Sequence, residues 1–201
     1  MVSSAHRQER DSMKKLTNVE YRLLSRTEIA QLSQIERTET IERVYTMHDG
    51  NLVLKKEHWD VPDWGPEEKQ RRIAALQDEH DAGATVFGAF DGPTLVGMSV
   101  LSHNPLSSGV ARFNLAGLWV SHTHRNQGTG KALVRLVVKE AKERGAKTLY
   151  VSATPSENTI RFYTSLKFRP AETVDPHLFE DEPEDIHLEL MLQSNKEKGQ
   201  C

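Results

Sequence analysis

Hydrophobic and polar residues alternate along the chain in a way that predicts strands and helices, weakly at first and more clearly in the later part. Early in the chain, a strand is predicted at 21–25, and a short helix capped by Thr27 follows it. Two strand-like runs then flank Asp49-Gly50, a dipeptide typical of hairpin turns. A stretch interpreted as a loop precedes a charged helix that ends near Asp81. This loop holds Trp59, Pro62, Trp64 and Pro66, and either tryptophan would line a pocket or hold the loop in place.

The later part of the chain has sharper periodicity. ATVFGAF and LVGMSVLS are predicted strands joined by a tight turn, and a third strand is predicted over 110–121. Apolar residues spaced by three or four positions predict a helix over 125–144, which Gly145 ends. The pattern is completed by a strand, KTLYVSAT, a helix beginning in SENTIRFYTSLKF, and a strand over 185–192 that follows an acidic stretch, LFEDEPED. This order of elements indicates a mixed α+β fold.

Length and composition are those of one globular domain, with 201 residues of which 37% are hydrophobic and 27% charged. The formal net charge of -3 disfavours a dedicated nucleic-acid binder. The sequence also lacks an apolar run of the roughly 20 residues that cross a bilayer. We therefore expect no nucleic acid and no membrane among its partners. Residues 1–18 are polar and lack the apolar core of a secretion signal, so we expect a flexible tail there.

Cysteine and histidine content leads to two further expectations. The only cysteine, Cys201, allows no internal disulfide and no cysteine metal cluster, which favours a reduced, cytoplasmic protein. His122 and His124 form an H-x-H pair, but the sequence offers no third ligand. We therefore expect two solvated histidines and no bound metal.

The segment RNQGTGKALVRLV, which begins at Arg125, places two glycines directly before an apolar-periodic helix. Gly128 and Gly130 allow backbone conformations that other residues avoid, and they let a ligand approach the amides. A helix start offers unpaired N–H groups and a partial positive charge, which together favour a phosphate. Arg125 adds a permanent cation at the rim. The P-loop and dinucleotide patterns both fail, because they need glycines where Arg125 and Leu133 stand.

Two segments, LWVSHTHRNQGTGKALVRLV and ATPSENTIRFYTSLKF, together resemble the GNAT superfamily of acetyl-CoA-dependent N-acetyltransferases. The first resembles the family's R-x-x-G-x-G motif at the junction of an antiparallel strand and a helix. The second resembles its other signature, an Asn at a helix start followed by a Tyr one turn on. The motifs span about residues 113–170. The resemblance implies a GNAT-like fold, with a mixed, mostly antiparallel central sheet, flanking helices and a splayed cofactor-binding edge.

The resemblance also implies roles for individual residues. The coenzyme A pyrophosphate would lie on the amides of the glycine turn, and the pantetheine arm would pair with the preceding strand end, opened by a bulge near Ala116-Gly117. Asn158 matches the Asn that hydrogen-bonds the cofactor arm. Tyr163 matches the Tyr near the thioester sulfur, where it would protonate the leaving thiolate or hydrogen-bond it. The turn consists of Arg125, Asn126, Gln127, Gly128, Thr129, Gly130 and Lys131, and the strand end of Leu118, Trp119 and Val120.

Two positions depart from the family pattern. The Glu that many relatives carry on the strand before the turn aligns with Asn114, which cannot act as a base, so another carboxylate or water would take the amine proton. Lys167 stands where a Gly usually precedes the final Phe, which leaves the local turn geometry open. The acidic run 180–185 is interpreted as a solvated loop or, alternatively, as an attractor of a cationic amine. The candidate bases are Glu36, Glu39, Glu57 and Asp60.

With this resemblance, the sequence predicts a GNAT-like domain over 19–195, with cofactor motifs at 113–170 and a variable acceptor-site region at 26–82. The expected reaction is direct attack of a primary amine, carried by a small molecule, on the thioester of acetyl-CoA. A strand N–H near Leu118 would stabilise the oxyanion. A protein lysine or N-terminal amine is the alternative acceptor, and a non-enzymatic acyl-CoA sensor is the alternative class. Dimers are common among similar proteins, so a homodimer stays open.

Overall fold

The computed structural model describes residues 19–103, 106 and 111–192. Its strands are β1 (Glu20–Leu23), β2 (Glu39–His48), β3 (Asn51–Val61), β4 (Thr85–Asp91), β5 (Thr94–Ser102), β6 (Arg112–Val120), β7 (Thr148–Ala153), β8 (Arg169–Pro170) and β9 (Ile186–Met191). Seven of them form one sheet in the order β1-β4-β5-β6-β7-β9-β8, and β2 and β3 form a separate hairpin. Neighbouring strands of the sheet run antiparallel, except for the parallel pair β6 and β7.

Helices pack on the sheet through two apolar clusters. The described α-helices are α1 (Pro66–Asp81), α2 (Thr129–Glu143), α3 (Glu157–Ser165) and α4 (Pro176–Asp181), and the 3-10 helices are Glu28–Gln34 and His122–His124. One cluster joins α2 and α3 to the sheet, and the other joins α1 and the first 3-10 helix to it. The predicted α+β class, with a mostly antiparallel sheet and flanking helices, is confirmed.

Some parts of the predicted organisation lie outside the described residues. These parts are the polar tail at 1–18, the end of the expected domain at 193–195, and residue 110 of the predicted strand 110–121. The hairpin prediction is confirmed, because His48 pairs with Asn51 across Asp49 and Gly50, which have φ of 48° and 76°. Positive φ at both central residues is what the tightest hairpin turns require.

Three elements differ from their predictions. The helix predicted over 125–144 begins only at Thr129, because Gly128 has φ of 91° and interrupts the helical conformation. Trp59 lies in β3 rather than in a loop, opposite Ile41. The first part of the acidic stretch lies in α4. Asp175 fixes the start of this helix, since its side chain accepts from two backbone N–H groups of the first turn. Aspartate before proline is a strong helix-start combination.

β6 and β7 separate after three paired positions, and this separation creates the splayed edge that the family resemblance implied. Their pairing covers only 112–114 against 148–150. On its other side, β6 pairs with β5, and the register shifts between Leu115 and Gly117, so that the exposed Ala116 forms a bulge. The predicted bulge is therefore confirmed. Bulges bend a strand away from its neighbour, and here β6 diverges from β7 beyond the bulge.

Candidate functional site

The turn before α2 leaves its main-chain N–H groups without internal partners. Gly128 adopts a left-handed conformation, and a Cβ built on it would meet no atom within 4 Å. In the described part of the chain, no acceptor bonds the N–H groups of residues 126–131, and no side chain caps the helix. The N–H of Arg125 differs, because it donates to the His122 carbonyl at 3.3 Å. Free N–H groups around a left-handed glycine at a helix start form a favourable site for an anion.

Glu39 joins the side chains of Arg125 and Asn158. The Arg125 guanidinium donates to Glu39 Oε2 at 3.1 Å, and Asn158 Nδ2 donates to Glu39 Oε1 at 3.2 Å. The same guanidinium also donates to the carbonyls of Val120 and Arg37, at 3.1 and 2.9 Å. Arg125 therefore fixes the turn against β2 and the end of β6. Asn158 does not cap α3, because Ser156 caps it.

The other residues of the turn divide into exposed and packed positions. Asn126, Gln127, Gly128 and Lys131 are exposed, whereas Thr129 is buried. Gln127 is held by a hydrogen bond from its Nε2 to the Thr123 carbonyl at 2.7 Å. A Cβ on Gly130 would lie 3.3 Å from the Phe162 ring, so this glycine lets the start of α2 approach α3 closely. The two glycines thus have different roles, one open to a ligand and one packed.

The predicted strand positions border the gap between β6 and β7. Leu118, Trp119 and Val120 pair with β5 on one side, and on the β7 side they have no strand partner among the described residues. The Trp119 indole lies over Gly117, where a Cβ would overlap it, and it meets the buried Trp64 edge-on with ring centres 5.6 Å apart. Trp64 is therefore a core residue. The free edge of β6 is open to pairing with an extended ligand.

Tyr163 lies in α3, with its ring packed against two phenylalanines. The ring centres of Phe162 and Phe168 are 5.1 and 5.2 Å away. Burial raises the pKa of Tyr163 above its usual value, and the charge of Asp185 raises it further. No described residue hydrogen-bonds the hydroxyl. Tyr163 therefore keeps its proton through neutral pH, as a proton donor must.

Lys167 adopts φ of 73°, the left-handed conformation that the usual glycine supplies without strain. Its N–H donates to the Thr164 carbonyl at 3.0 Å, and the next N–H, of Phe168, donates to the Tyr163 carbonyl at 3.2 Å. The turn after α3 is therefore a regular helix-ending turn, built with a strained residue.

Replacing Lys167 by glycine should stabilise the protein slightly. Relief of the left-handed strain stabilises the folded state by about 1–2 kcal/mol. The greater backbone flexibility of glycine in the unfolded chain offsets about 0.5–1 kcal/mol of this gain. We expect the free energy of unfolding in urea to rise by about 0.5–1 kcal/mol. Lys167→Ala is the control, since it removes the side chain but keeps the strain. A glycine variant no more stable than the alanine variant would contradict this account.

A cavity of about 720 Å³ lies between the β2–β3 hairpin and the segment 170–187. β2 is fixed beside it, because the Tyr45 N–H donates to the Pro155 carbonyl at 2.7 Å. Its described lining residues include aromatic and apolar side chains and three carboxylates, but no Lys or Arg. The polar and aromatic members are Tyr45, Glu57, Trp59, Phe179, Glu184, Asp185 and His187. The cavity has the size of a small-molecule site and favours a cation with an apolar body.

Asp185 is a half-buried residue of this wall that the sequence did not single out. Ser152 Oγ donates to Asp185 Oδ2 at 3.1 Å. Burial, together with the neighbouring Glu182 carboxylate, raises the pKa of Asp185 to about 7. In the sequence, Asp185 is one of several acids in the run interpreted as a loop. Only its burial beside β7 distinguishes it from the others.

The four carboxylates named from the sequence have different positions. Glu57 lines the cavity. Glu39 accepts hydrogen bonds from Arg125 and Asn158. Glu36 is exposed, and its Oε2 lies 3.4 Å from His122 Nδ1. Asp60 accepts from Thr40 at 3.0 Å on the hairpin. Of the four, only Glu57 therefore shares a cavity with Asp185.

The described residues contain neither a metal-binding cluster nor a membrane-spanning helix. No group of three or more His, Cys, Asp or Glu residues is placed to hold a metal ion. His124 instead lies 3.2 Å from Asp91. None of the described helices has the length and apolar character needed to cross a membrane.

Comparisons with known proteins identify a family and solved structures with a similar fold. The model of the Acetyltransferase (GNAT) family matches residues 51–168, more than half of the chain. Among solved structures, nourseothricin acetyltransferase has a TM-score of 0.65 at 19% identity, with 88% of this chain and 100% of that chain covered. The ribosomal-protein-S18-alanine N-acetyltransferase from Escherichia coli has a TM-score of 0.57 at 16% identity, with 91% and 99% covered.

A third solved structure of similar fold contains coenzyme A. PaiA N-acetyltransferase from Thermoplasma acidophilum, in complex with coenzyme A, has a TM-score of 0.54 at 18% identity, with 87% of this chain and 99% of that chain covered. At these identities the likeness establishes the shared fold. No curated protein matches the chain by sequence.

Proposed function

The chain belongs to the GNAT acetyltransferase family, and from this premise we propose that it transfers the acetyl group of acetyl-CoA to the primary amine of a small molecule. The observation that carries the donor half of this proposal is the set of unpartnered N–H groups at 126–131. A diphosphate bound there would satisfy groups that the described protein leaves without acceptors, as helix starts do for many phosphate ligands.

The splayed edge supports the path of the rest of the donor. An extended pantetheine arm can pair with the free edge of β6 at Leu118, Trp119 and Val120, which lies beside the glycine turn. Asn158, at the start of α3, is joined to Arg125 through Glu39. The residues present therefore fit coenzyme A, with its diphosphate on the turn and its arm along β6.

The cavity beside the β2–β3 hairpin supports a small amine as acceptor. Its volume of about 720 Å³ falls within the range of small-molecule sites. As far as the wall is described, it has three carboxylates and no Lys or Arg, a composition that attracts a cation. Phe179 and Met47, which are 48% and 43% exposed, offer apolar surface to the body of the acceptor. A long peptide needs an open groove, whereas the hairpin encloses this site on one side.

The chemistry follows from these positions. Acetyl-CoA supplies an activated acetyl group as a thioester. A main-chain N–H near Leu118 donates to the oxygen that becomes negatively charged during attack by the amine. Tyr163 donates its proton toward the sulfur that leaves. Because burial raises the pKa of Tyr163, the phenol is protonated and able to donate.

Thiol release in the presence of acetyl-CoA and a panel of amines tests the proposal. Putrescine, spermidine, tyramine and a lysine-containing peptide cover the acceptor classes, and mass spectrometry identifies the acetylated product. We expect turnover with at least one of the small amines. Turnover with the peptide alone would replace the small molecule by a protein acceptor. Acetyl-CoA binding without turnover on any amine would instead indicate an acyl-CoA sensor.

A further inference from the structure

Asp185 lies between the donor edge and the acceptor cavity. It lines the cavity, and Ser152 Oγ holds its Oδ2 at 3.1 Å. Ser152 belongs to β7 and lies two residues beyond Tyr150, the last position where β7 pairs with β6. Asp185 is also close enough to Tyr163 for its charge to act on that phenol. It therefore connects three parts of the site: the splayed gap, the phenol and the acceptor cavity.

We propose that Asp185 is the general base that removes a proton from the ammonium group of the acceptor, a role that rests on the proposed acetyltransferase function. The base expected on β6 is absent, because Asn114 stands there, and of the four carboxylates named from the sequence only Glu57 reaches the cavity. Glu57 lies on β3 of the hairpin and has no hydrogen bond to β7 in the described part of the chain. Asp185 has the hydrogen bond to β7 that holds a carboxylate beside the gap.

Asp185 and Tyr163 handle separate protons in the proposed reaction. The ammonium group transfers one proton to the Asp185 carboxylate, and its nitrogen lone pair forms a C–N bond to the thioester carbonyl carbon. As the C–S bond breaks, the sulfur takes a proton from Tyr163, and the phenol regains one from the nitrogen of the new amide. Asp185 then releases its proton to solvent. The net products are the acetylated amine, free coenzyme A thiol and one proton.

The surroundings of Asp185 favour this role. The cavity wall also holds an unsatisfied polar group: His187 is 6% exposed, and its Nε2 has no partner among the described residues. Its Nδ1 is bonded to the Tyr150 hydroxyl at 2.7 Å, and burial lowers the pKa of His187, which keeps this histidine neutral beside the carboxylate. The titratable groups around Asp185 are Glu182 and Glu184 on its own segment, Tyr163 on α3, His187 on β9, Glu57 on β3 and Tyr45 on β2.

The pH dependence of kcat/KM, measured with the most active amine of the panel, tests the role of Asp185. Its pKa of about 7 predicts an acidic limb in the profile near that pH, since the carboxylate must be ionised to accept a proton. Asp185→Asn should lower kcat about 100-fold at neutral pH and remove this limb. The remaining rate of Asp185→Asn should rise with pH as the fraction of unprotonated amine increases, until the pH reaches the pKa of the amine. The acetyl-CoA dissociation constant should not change.

Two further variants separate catalysis from structure. Asp185→Glu should retain the acidic limb. Ser152→Ala should move the limb to higher pH, because the Ser152 hydrogen bond lowers the pKa of Asp185. Glu180→Gln is the matched control: Glu180 is an exposed acid of the same segment, outside the cavity wall, and the change should leave rate and profile unaltered.

The outcomes distinguish this inference from the proposed function. If the native protein releases no thiol with any amine, the acetyltransferase function fails first. If the native protein is active and Asp185→Asn keeps its rate and its acidic limb, the assignment of Asp185 is wrong and the function stands. If Asp185→Asn unfolds, as its melting temperature would reveal, Ser152→Ala decides the question. An acidic limb that moves to higher pH in Ser152→Ala supports the assignment of Asp185, and a limb at the native pH overturns it.

Discussion

Replacing Gly128 by glutamate should abolish the binding of acetyl-CoA. The new carboxylate would project into the open space at the turn and repel a diphosphate, and the left-handed backbone would be strained. Hydrogen bonds to a charged group contribute about 1.5–3 kcal/mol each, so losing two of them already weakens binding by more than about 100-fold. Isothermal titration with acetyl-CoA measures the effect.

Gly145→Glu is a matched control for this change. Gly145 follows α2, has φ of 83°, and a Cβ there would also meet nothing within 4 Å. The control therefore introduces the same side chain and similar backbone strain at the other end of the same helix. We expect its affinity for acetyl-CoA to equal that of the native protein. If both variants bind equally well, the turn at 126–131 is not the diphosphate site.

Replacing Tyr163 by phenylalanine should lower kcat by about 100-fold, the low end of the range for losing a general acid. The ring packing against Phe162 and Phe168 would be retained, so the fold and the dissociation constant of acetyl-CoA should hardly change. Because burial raises the pKa of Tyr163, the native enzyme should lose no activity through ionisation of this phenol at neutral or mildly alkaline pH. Steady-state kinetics across pH, with a separate binding measurement, provide the readout.

Tyr21→Phe controls for the loss of a hydroxyl as such. Tyr21 lies on β1, is partly buried and packs against the same apolar cluster as Tyr163. Its hydroxyl has no part in the proposed reaction, so this variant should retain full activity. An equal kcat for Tyr163→Phe and Tyr21→Phe would rule out proton donation by Tyr163.

Particular elements explain which parts of the fold were predictable. The hairpin at Asp49-Gly50 and the bulge near Ala116 were predicted correctly, because each depends on backbone preferences of one or two residues or on a family motif around them. The start of α2 was placed four residues too early, since the side-chain periodicity continues through a turn that Gly128 interrupts. The segment of α4 was predicted as a loop because its acidic residues are typical of a solvated loop. The hydrogen bonds by which Asp175 starts the helix were not recognised in the sequence.

By itself the sequence determined the family, the α+β class, and the glycine turn with its helix, since each is encoded in local periodicity and in motifs of a few adjacent residues. Only the tertiary structure brought Glu39 to Arg125 and Asn158, which are 86 and 119 residues away along the chain. It likewise formed the cavity from a hairpin and a distant segment. Asp185 acquires its raised pKa in the same way, because burial depends on neighbours from elsewhere in the chain that no local pattern records.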